Sequence, residues 1–462
     1  MLIATLSLAL LTLFGAMAIW GILVATRQRG ALRISGVVLA AQGLLFTAIM
    51  VVLTSIPIIG LEPTVPVALV PTLAQAGLTL LAVGGVAALI YLLARRFARQ
   101  AQEPKPGRRA SALLVGLSLL GIIGMGGLWQ LSTPERVRER DPFKRNIEVP
   151  AGFTANVYVN EKLDNPTSMA FAPDGSLYIG DIGGNIWQAK DSDNDGSAEQ
   201  VSRYAEGFSL LTGLVFHAGE VYVASQGKVE ALKDANGDGV YDERRTLVDS
   251  LPSMVYIPHT NNALSIGPDG RLYFSVGSTT DGEVEQNPLA AAMLSVNLDG
   301  SDLRPYARGL SNSFDVAFNA AGDMFSADNQ PGAAGDLGDE LNYIVEDGHY
   351  GYPYFFGDPP KEGSTRGPVA NFPPHASPNG LTFYNSAQFP QSYADNMFIA
   401  LWGTGEVYRI ELAKSKGGEY LSRTNPFAKG FVYPLDVTVG PDGSLYVADF
   451  GTSAIYRISY SS

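Results

Sequence analysis

The sequence predicts an all-β six-bladed β-propeller preceded by four transmembrane α-helices. Three observations predict it. One strand-turn-strand phrase recurs six times after residue 165. Four long apolar stretches occupy the first 131 residues. The charge also reverses along the chain: residues 1–145 hold 14 Lys/Arg against 5 Asp/Glu, and residues 146–462 hold 18 against 40.

The apolar stretches lie at about 2–25, 34–57, 67–94 and 111–131. Each is long enough to cross about 30 Å of hydrocarbon. The first connecting loop carries Arg27, Arg29 and Arg33, and the third carries Arg95, Arg96, Arg99, Lys105, Arg108 and Arg109. The second carries Glu62 and no base. Basic loops stay in the cytoplasm, so the N-terminus and the propeller are expected outside. The division is 1–131 membrane region, 132–146 charged linker and 147–462 propeller. An acidic outer domain argues against nucleic acid as a partner. Cysteine is absent, and all four histidines (His217, His259, His349, His375) lie in the propeller. The helices therefore have no histidine with which to hold haem.

The repeated phrase is an apolar strand, a turn at Gly or Asp, and a strand reading hydrophobic-aromatic-hydrophobic-small. It spans 170–181, 215–224, 266–275, 317–326 and 439–449, with a degenerate copy split between 382–384 and 396–400. Gly175, Gly219, Gly270 and Gly322 are spaced 44, 51 and 52 residues apart. Gly443 follows after 121, room for one further blade plus an insertion of roughly 20 residues. Such a period marks a radial β array. The last blade has three strands, 434–439, 444–448 and 454–460. Its fourth is expected from 153–159, which would close the ring and hide two sheet edges.

Two loops have the front half of a calcium loop. Asp191, Asp193, Asp195 and Glu199 alternate around Gly196, and Asp234, Asn236, Asp238 and Asp242 alternate around Gly239. Hard oxygen ligands at every second position suit calcium. Position 12 holds Ser202 in one and Arg245 in the other, so neither is an EF-hand. A structural role is expected. The run 327–342 is Gly-rich and acidic and supplies Asp328, Asp336, Asp339 and Glu340 as further cation ligands.

In a propeller, function is sought where the loops leading into the innermost strands meet those linking second and third strands. His259 stands at such a position and is the best base candidate. Asn312, Asn329, Gln330, Trp402 and Thr404 stand at the same mouth.

Residues 146–461 resemble the glucose/sorbosone dehydrogenase family. The resemblance rests on Pro258-His259-Thr260-Asn261-Asn262-Ala263-Leu264, Ala307 through Asp315, Gly338-Asp339-Glu340-Leu341-Asn342-Tyr343, Gly348-His349-Tyr350-Gly351-Tyr352-Pro353 and Pro374 through Leu381. It implies a six-bladed propeller that oxidises sugars or polyols with pyrroloquinoline quinone (PQQ) and calcium. It implies His259 as the base taking a hydroxyl proton, Asn312 as a cofactor contact and 328–342 as the calcium loop. A quinone or other electron acceptor would be a partner. Where the family carries cations, this chain has Ser311, Gly403, Tyr433 and Leu435. Three functions stay open: a membrane-anchored dehydrogenase, a ligand-binding or sensing propeller, and a calcium-dependent lactonase-like hydrolase using Asn312 and Asp315.

Overall fold

Asp-Gly turns set the hairpins. The computed structural model describes residues 139–253, 260–280, 282–331, 338–357 and 365–461. In it, Gly175, Gly270 and Gly443 adopt φ of +86°, +78° and +81°, a region that glycine enters without steric cost. The preceding aspartates accept backbone N–H bonds two residues on: Asp174 from Ser176, Asp269 from Arg271 and Asp442 from Ser444, at 3.0–3.1 Å. Each turn is thus bent by its own side chain.

Six four-stranded antiparallel sheets follow. Blade 1 is β2 (Pro166–Phe171), β3 (Leu177–Asp181), β4 (Asn185–Lys190) and β5 (Gln200–Glu206). Blade 2 is β6 (Gly213–His217), β7 (Glu220–Ser225), β8 (Lys228–Lys233) and β9 (Glu243–Val248). Blade 3 is β10 (Asn261–Ile266), β11 (Leu272–Val276), β12 (Ala292–Val296) and β13 (Arg304–Arg308). Blade 4 is β14 (Asn312–Phe318), β15 (Met324–Asn329), β16 (Glu340–Ile344) and β17 (Ala370–Asn371). Blade 5 is β18 (Pro378–Phe383), β19 (Met397–Leu401), β20 (Glu406–Lys414) and β21 (Tyr420–Lys429). Blade 6 is β22 (Pro434–Val439), β23 (Leu445–Asp449), β24 (Ala454–Tyr460) and β1 (Phe153–Val159). β1 pairs antiparallel with β24, Phe153 opposite Tyr460, so the expected closure is observed.

The inner strands are joined around the axis. Five of the six bulge near their start, between Pro166 and Ser168, Asn261 and Leu264, Ser313 and Asp315, Pro378 and Leu381, and Pro434 and Asp436. A bulge re-aims side chains, and several reach the next blade here. Ser168 Oγ accepts from Leu214 N–H at 2.8 Å, and Thr212 Oγ1 donates to Asn261 O at 2.7 Å. Asn262 Nδ2 donates to Ser313 O at 2.8 Å. Asp315 accepts from Leu381 N–H at 2.8 Å, and Asp436 accepts from Met169 N–H at 2.7 Å. Apolar side chains fill the space between blades. Phe325 of blade 4, fully buried, packs its ring edge-on against Phe383 and Tyr420 of blade 5.

The extra length before Gly443 is divided. Part is the hairpin 384–396 of blade 5, where Tyr384 stacks on Phe389 at 4.3 Å and donates to Gly443 O. Part is the connection 345–369 between β16 and β17. The expected membrane spans at 1–131 lie outside the described residues. Among the described residues, no helix is long and apolar enough to cross a membrane. The end of the linker is not a free tether. Asp141 caps a 3-10 turn at Pro142–Lys144, Arg145 Nε donates to Gly430 O at 2.6 Å, and Glu148 bridges Lys429.

Candidate active site at the axial mouth

In these antiparallel sheets, the connections into each innermost strand and those from second to third strand emerge at one end. Those from third to fourth strand emerge at the other. The predicted residues therefore fall into two groups. Asn312, Asn329, Gln330, Trp402, Thr404, Asp328, Asp339 and Glu340 belong to the first end, the mouth. Asp191 through Glu199 and Asp234 through Asp242 belong to the second. His259 and Asp336 lie outside the described residues.

Blade 3 is fixed at the mouth by two buried asparagines. Asn261 Oδ1 accepts from Gly227 N–H at 2.8 Å and from Thr260 Oγ1 at 3.0 Å, and its Nδ2 donates to Lys228 O at 2.7 Å. That holds the chain immediately after His259 against blade 2. Asn262 Nδ2 donates to Asn312 Oδ1 at 3.0 Å. With its oxygen so engaged, Asn312 keeps its own amide N–H₂ for other partners. Neither Asn261 nor Asn262 stands out by residue type. The signal in the sequence is the tandem pair beside the histidine, since adjacent strand residues face opposite neighbours.

Blade 4 holds its acids in backbone bonds. The Asp328 carboxylate accepts from Ser311 N–H at 3.1 Å and Asn312 N–H at 2.8 Å. Asp449 does the same in blade 6, accepting from Val432 and Tyr433. The repetition marks Asp328 as a fastening of the mouth as well as a candidate ligand. Burial, with Glu340 directly across the strand pair, pushes Asp328 well above the usual carboxylate range. Asp339 accepts from Gln330 N–H at 2.9 Å and Ser377 N–H at 2.8 Å, tying blade 4 to blade 5. Ser311 Oγ, Asn329 Oδ1 and Thr404 Oγ1 have no hydrogen-bond partner among the described residues, although buried. Buried polar atoms are rarely left so.

Blade 5 meets blade 6 through rings. Trp402 stacks on Tyr433 at 4.7 Å and 24°, with Phe450 at 5.0 Å. A Cβ on Gly403 would stand 1.9 Å from His375 O, so the backbone admits no side chain there. Tyr433 and Leu435 are buried, each 7 % exposed.

At the far end, the two acidic loops differ. Ligand atoms of Asp191, Asp193, Asp195 and Glu199 all lie within 4.8 Å of one another. In the second loop, Asn236 Nδ2 bridges Asp238 and Asp242, and both Asp234 oxygens take glycine N–H groups. Among the described residues, only the first loop gathers its carboxylates in this way.

Asp315 and Asp436 are the remaining acids near the axis. Asp315 accepts from Val316 and Leu381, Asp436 from Val437 and Met169. Burial pushes Asp315 up to about 7, and burial plus the neighbouring Asp315 raises Asp436 well above its usual range. Asp315 Oδ2 serves the junction to blade 5 and Oδ1 takes the N–H of Val316 in its own strand, so both oxygens are engaged, which disfavours the ligand role a lactonase-like site would give it. The unfolded chain titrates these groups near 3.8. Between that value and about 7, the folded state therefore holds more protons than the unfolded state. The stability these groups contribute is present at low pH and lost as pH rises through their raised folded-state values. Thermal melting should give a lower Tm at pH 8 than at pH 5, and Asp315→Asn should shrink the difference. A Tm that climbs between those values would contradict this.

Fold and mouth define a six-bladed propeller with buried polar side chains gathered at one end. Residues 142–457 match the family described as Domain of unknown function (DUF7133), and the chain belongs to that family. It is 24% identical over 352 residues to a protein of Borreliella burgdorferi described as uncharacterized, covering 68% of this chain and 91% of the relative. Among solved structures it is similar to an oxidoreductase of Thermus thermophilus described as a glucose dehydrogenase. That match has 24% identity and a TM-score of 0.56, covering 66% of this chain and 100% of the other. It is also similar to the holo form of the PQQ domain of pyranose dehydrogenase from Coprinopsis cinerea. There the identity is 16% and the TM-score 0.57, covering 68% and 97%. These likenesses establish the fold.

Proposed function

We propose that this chain is an oxidoreductase of the sugar dehydrogenase type, acting on a small polyhydroxylated substrate at the axial mouth. The observation that carries the reading is the set of unpartnered polar atoms there, Ser311 Oγ, Asn329 Oδ1 and Thr404 Oγ1. Ser311 precedes Asn312 and Asn329 lies across the strand pair from it, in a fold shared with sugar dehydrogenases. His259, two residues before the anchored Asn261, takes the substrate hydroxyl proton; the ordinary histidine pKa near 6.5 suits that work.

PQQ is a flat ring system with three carboxylates. The hydroxyls of Ser311 and Thr404, the amides of Asn312, Asn329 and Gln330, and the ring of Trp402 suit a flat, oxygen-rich group. Its charge would be met by calcium held near Asp328, Asp336, Asp339 and Glu340, since positions 311, 403, 433 and 435 carry no cation. When bound, PQQ supplies a hydride acceptor. Asn312 orients and Trp402 excludes water. The four apolar segments anchor the chain in a membrane with the propeller outside, and a diffusible quinone or other acceptor removes the electrons.

The full chain in detergent, mixed with PQQ and calcium, should retain quinone absorbance through gel filtration and reduce a dye with at least one aldose. No retained absorbance would remove the quinone reading. That outcome would favour a ligand-binding propeller, which the aromatic wall at Tyr433 also suits. At the far end, Asp191, Asp193, Asp195 and Glu199 hold a structural calcium. At about a hundredfold excess over Kd such an ion contributes about 2.7 kcal/mol. EDTA should lower Tm, and Asp193→Asn with Asp195→Asn should remove the response; an unchanged Tm in EDTA would count against the site.

A further inference from the structure

The turn between β19 and β20 is held rigidly. Besides lying 1.9 Å from His375 O, a Cβ on Gly403 would stand 3.1 Å from Ala376 O. Gly403 N–H donates to Ala376 O at 2.8 Å, and Trp402 N–H to Ser377 O at 3.0 Å. The ring beneath is equally fixed. Tyr433 N–H donates to buried Asp449 at 2.7 Å, and Phe450 N–H donates to Tyr433 O at 3.0 Å. A Cβ on Gly451 would meet Val432 Cγ1 at 2.3 Å. Tyr433 and Phe450 are buried, while Trp402, above them, is only partly so. Trp402 lies near-parallel on Tyr433, and Phe450 stands tilted at 57° beside it, so Trp402 and Tyr433 make a preorganised stack braced by Phe450, at the positions where ion-pairing side chains would otherwise stand. Preorganisation removes much of the ordering cost of binding.

We propose that Trp402, backed by Tyr433 and Phe450, is the platform on which the mouth's ring-shaped ligand stacks. Stacking there takes the part that side-chain ion pairs would play in a cationic site. The inference rests on the dehydrogenase reading for its first ligand, PQQ, and on aromatic geometry for the surface itself. Ring stacking tolerates Phe in place of Trp but not Leu.

Within the propeller the tryptophans are Trp187 and Trp402, and Trp187 is 9 % exposed. In the full chain in detergent, the part of the indole emission that Trp402→Phe removes reports ligand contact at the platform. PQQ with calcium should quench that part. By equilibrium dialysis, Trp402→Phe should hold Kd within about threefold, and Trp402→Leu should weaken it about tenfold, with Tm unchanged in the Phe variant. Undiminished PQQ binding in Trp402→Leu would overturn the platform. D-glucose is the second probe. If PQQ fails to bind but glucose quenches saturably, and Trp402→Leu abolishes the effect, the quinone reading falls and the platform stands. If neither ligand quenches, the platform is refuted.

Discussion

Deleting residues 146–160 should leave a propeller that aggregates or fails to fold. β1 is the outermost strand of blade 6, and six of its residues pair with β24. Without it, β24 presents a row of unpaired backbone groups, an invitation to edge-to-edge association. The loss is also apolar. Phe153 lies within 5.2 Å, centroid to centroid, of the rings of Phe389, Tyr393, Phe427 and Tyr460. Three of those belong to blade 5, so this one side chain ties two blades together. Phe153→Ala alone should cost about 3–5 kcal/mol, visible as a large drop in Tm and in the denaturant midpoint. Deletion that leaves the melting curve where it was would show that the ring closes by other means.

His259→Ala should abolish turnover in the reconstituted chain while leaving PQQ retention and Tm near wild type. A positioned general base contributes about 10²- to 10⁴-fold, so even the lower figure is easily measured. Asn261 provides the graded version. Its side chain makes three hydrogen bonds that fix the segment following His259, so Asn261→Ala should lower kcat more than it raises KM. The pH profile of kcat/KM should rise through the histidine range, near 6.5, and lose that limb in His259→Gln. Turnover that survives His259→Ala would place the base elsewhere.

The fold was largely legible because its signals are local. Asp-Gly turns, strand alternation and the spacing of Gly175, Gly219, Gly270 and Gly322 each occupy a few neighbouring residues. Even the degenerate fifth blade was placed correctly by Phe383 and Phe398. The mouth was legible only in part, because its contacts join distant residues. Trp402 meets Tyr433 and Phe450 across blades. Asp315, which the lactonase-like alternative would use, serves the Leu381 amide, 66 residues away. Asp328 and Asp449 each stand six residues after the turn glycine of their blade, Gly322 and Gly443, so the repeat aligns them, while the paired amide bonds they share show only in three dimensions. Gly403 reads as a missing cation; its contact with His375 O gives the backbone reason. The charge and prolines of the 132–146 linker carry no sign of a docking contact, whereas Arg145 reaches a carbonyl 285 residues later.

The strand synthesised first in this domain finds its partner last. Phe153 must wait for Tyr460 to be made, about three hundred residues on. No nascent chain completes the circle before β24 has been made. Prematurely terminated products will keep two raw sheet edges, a mark by which quality control can tell them from finished molecules.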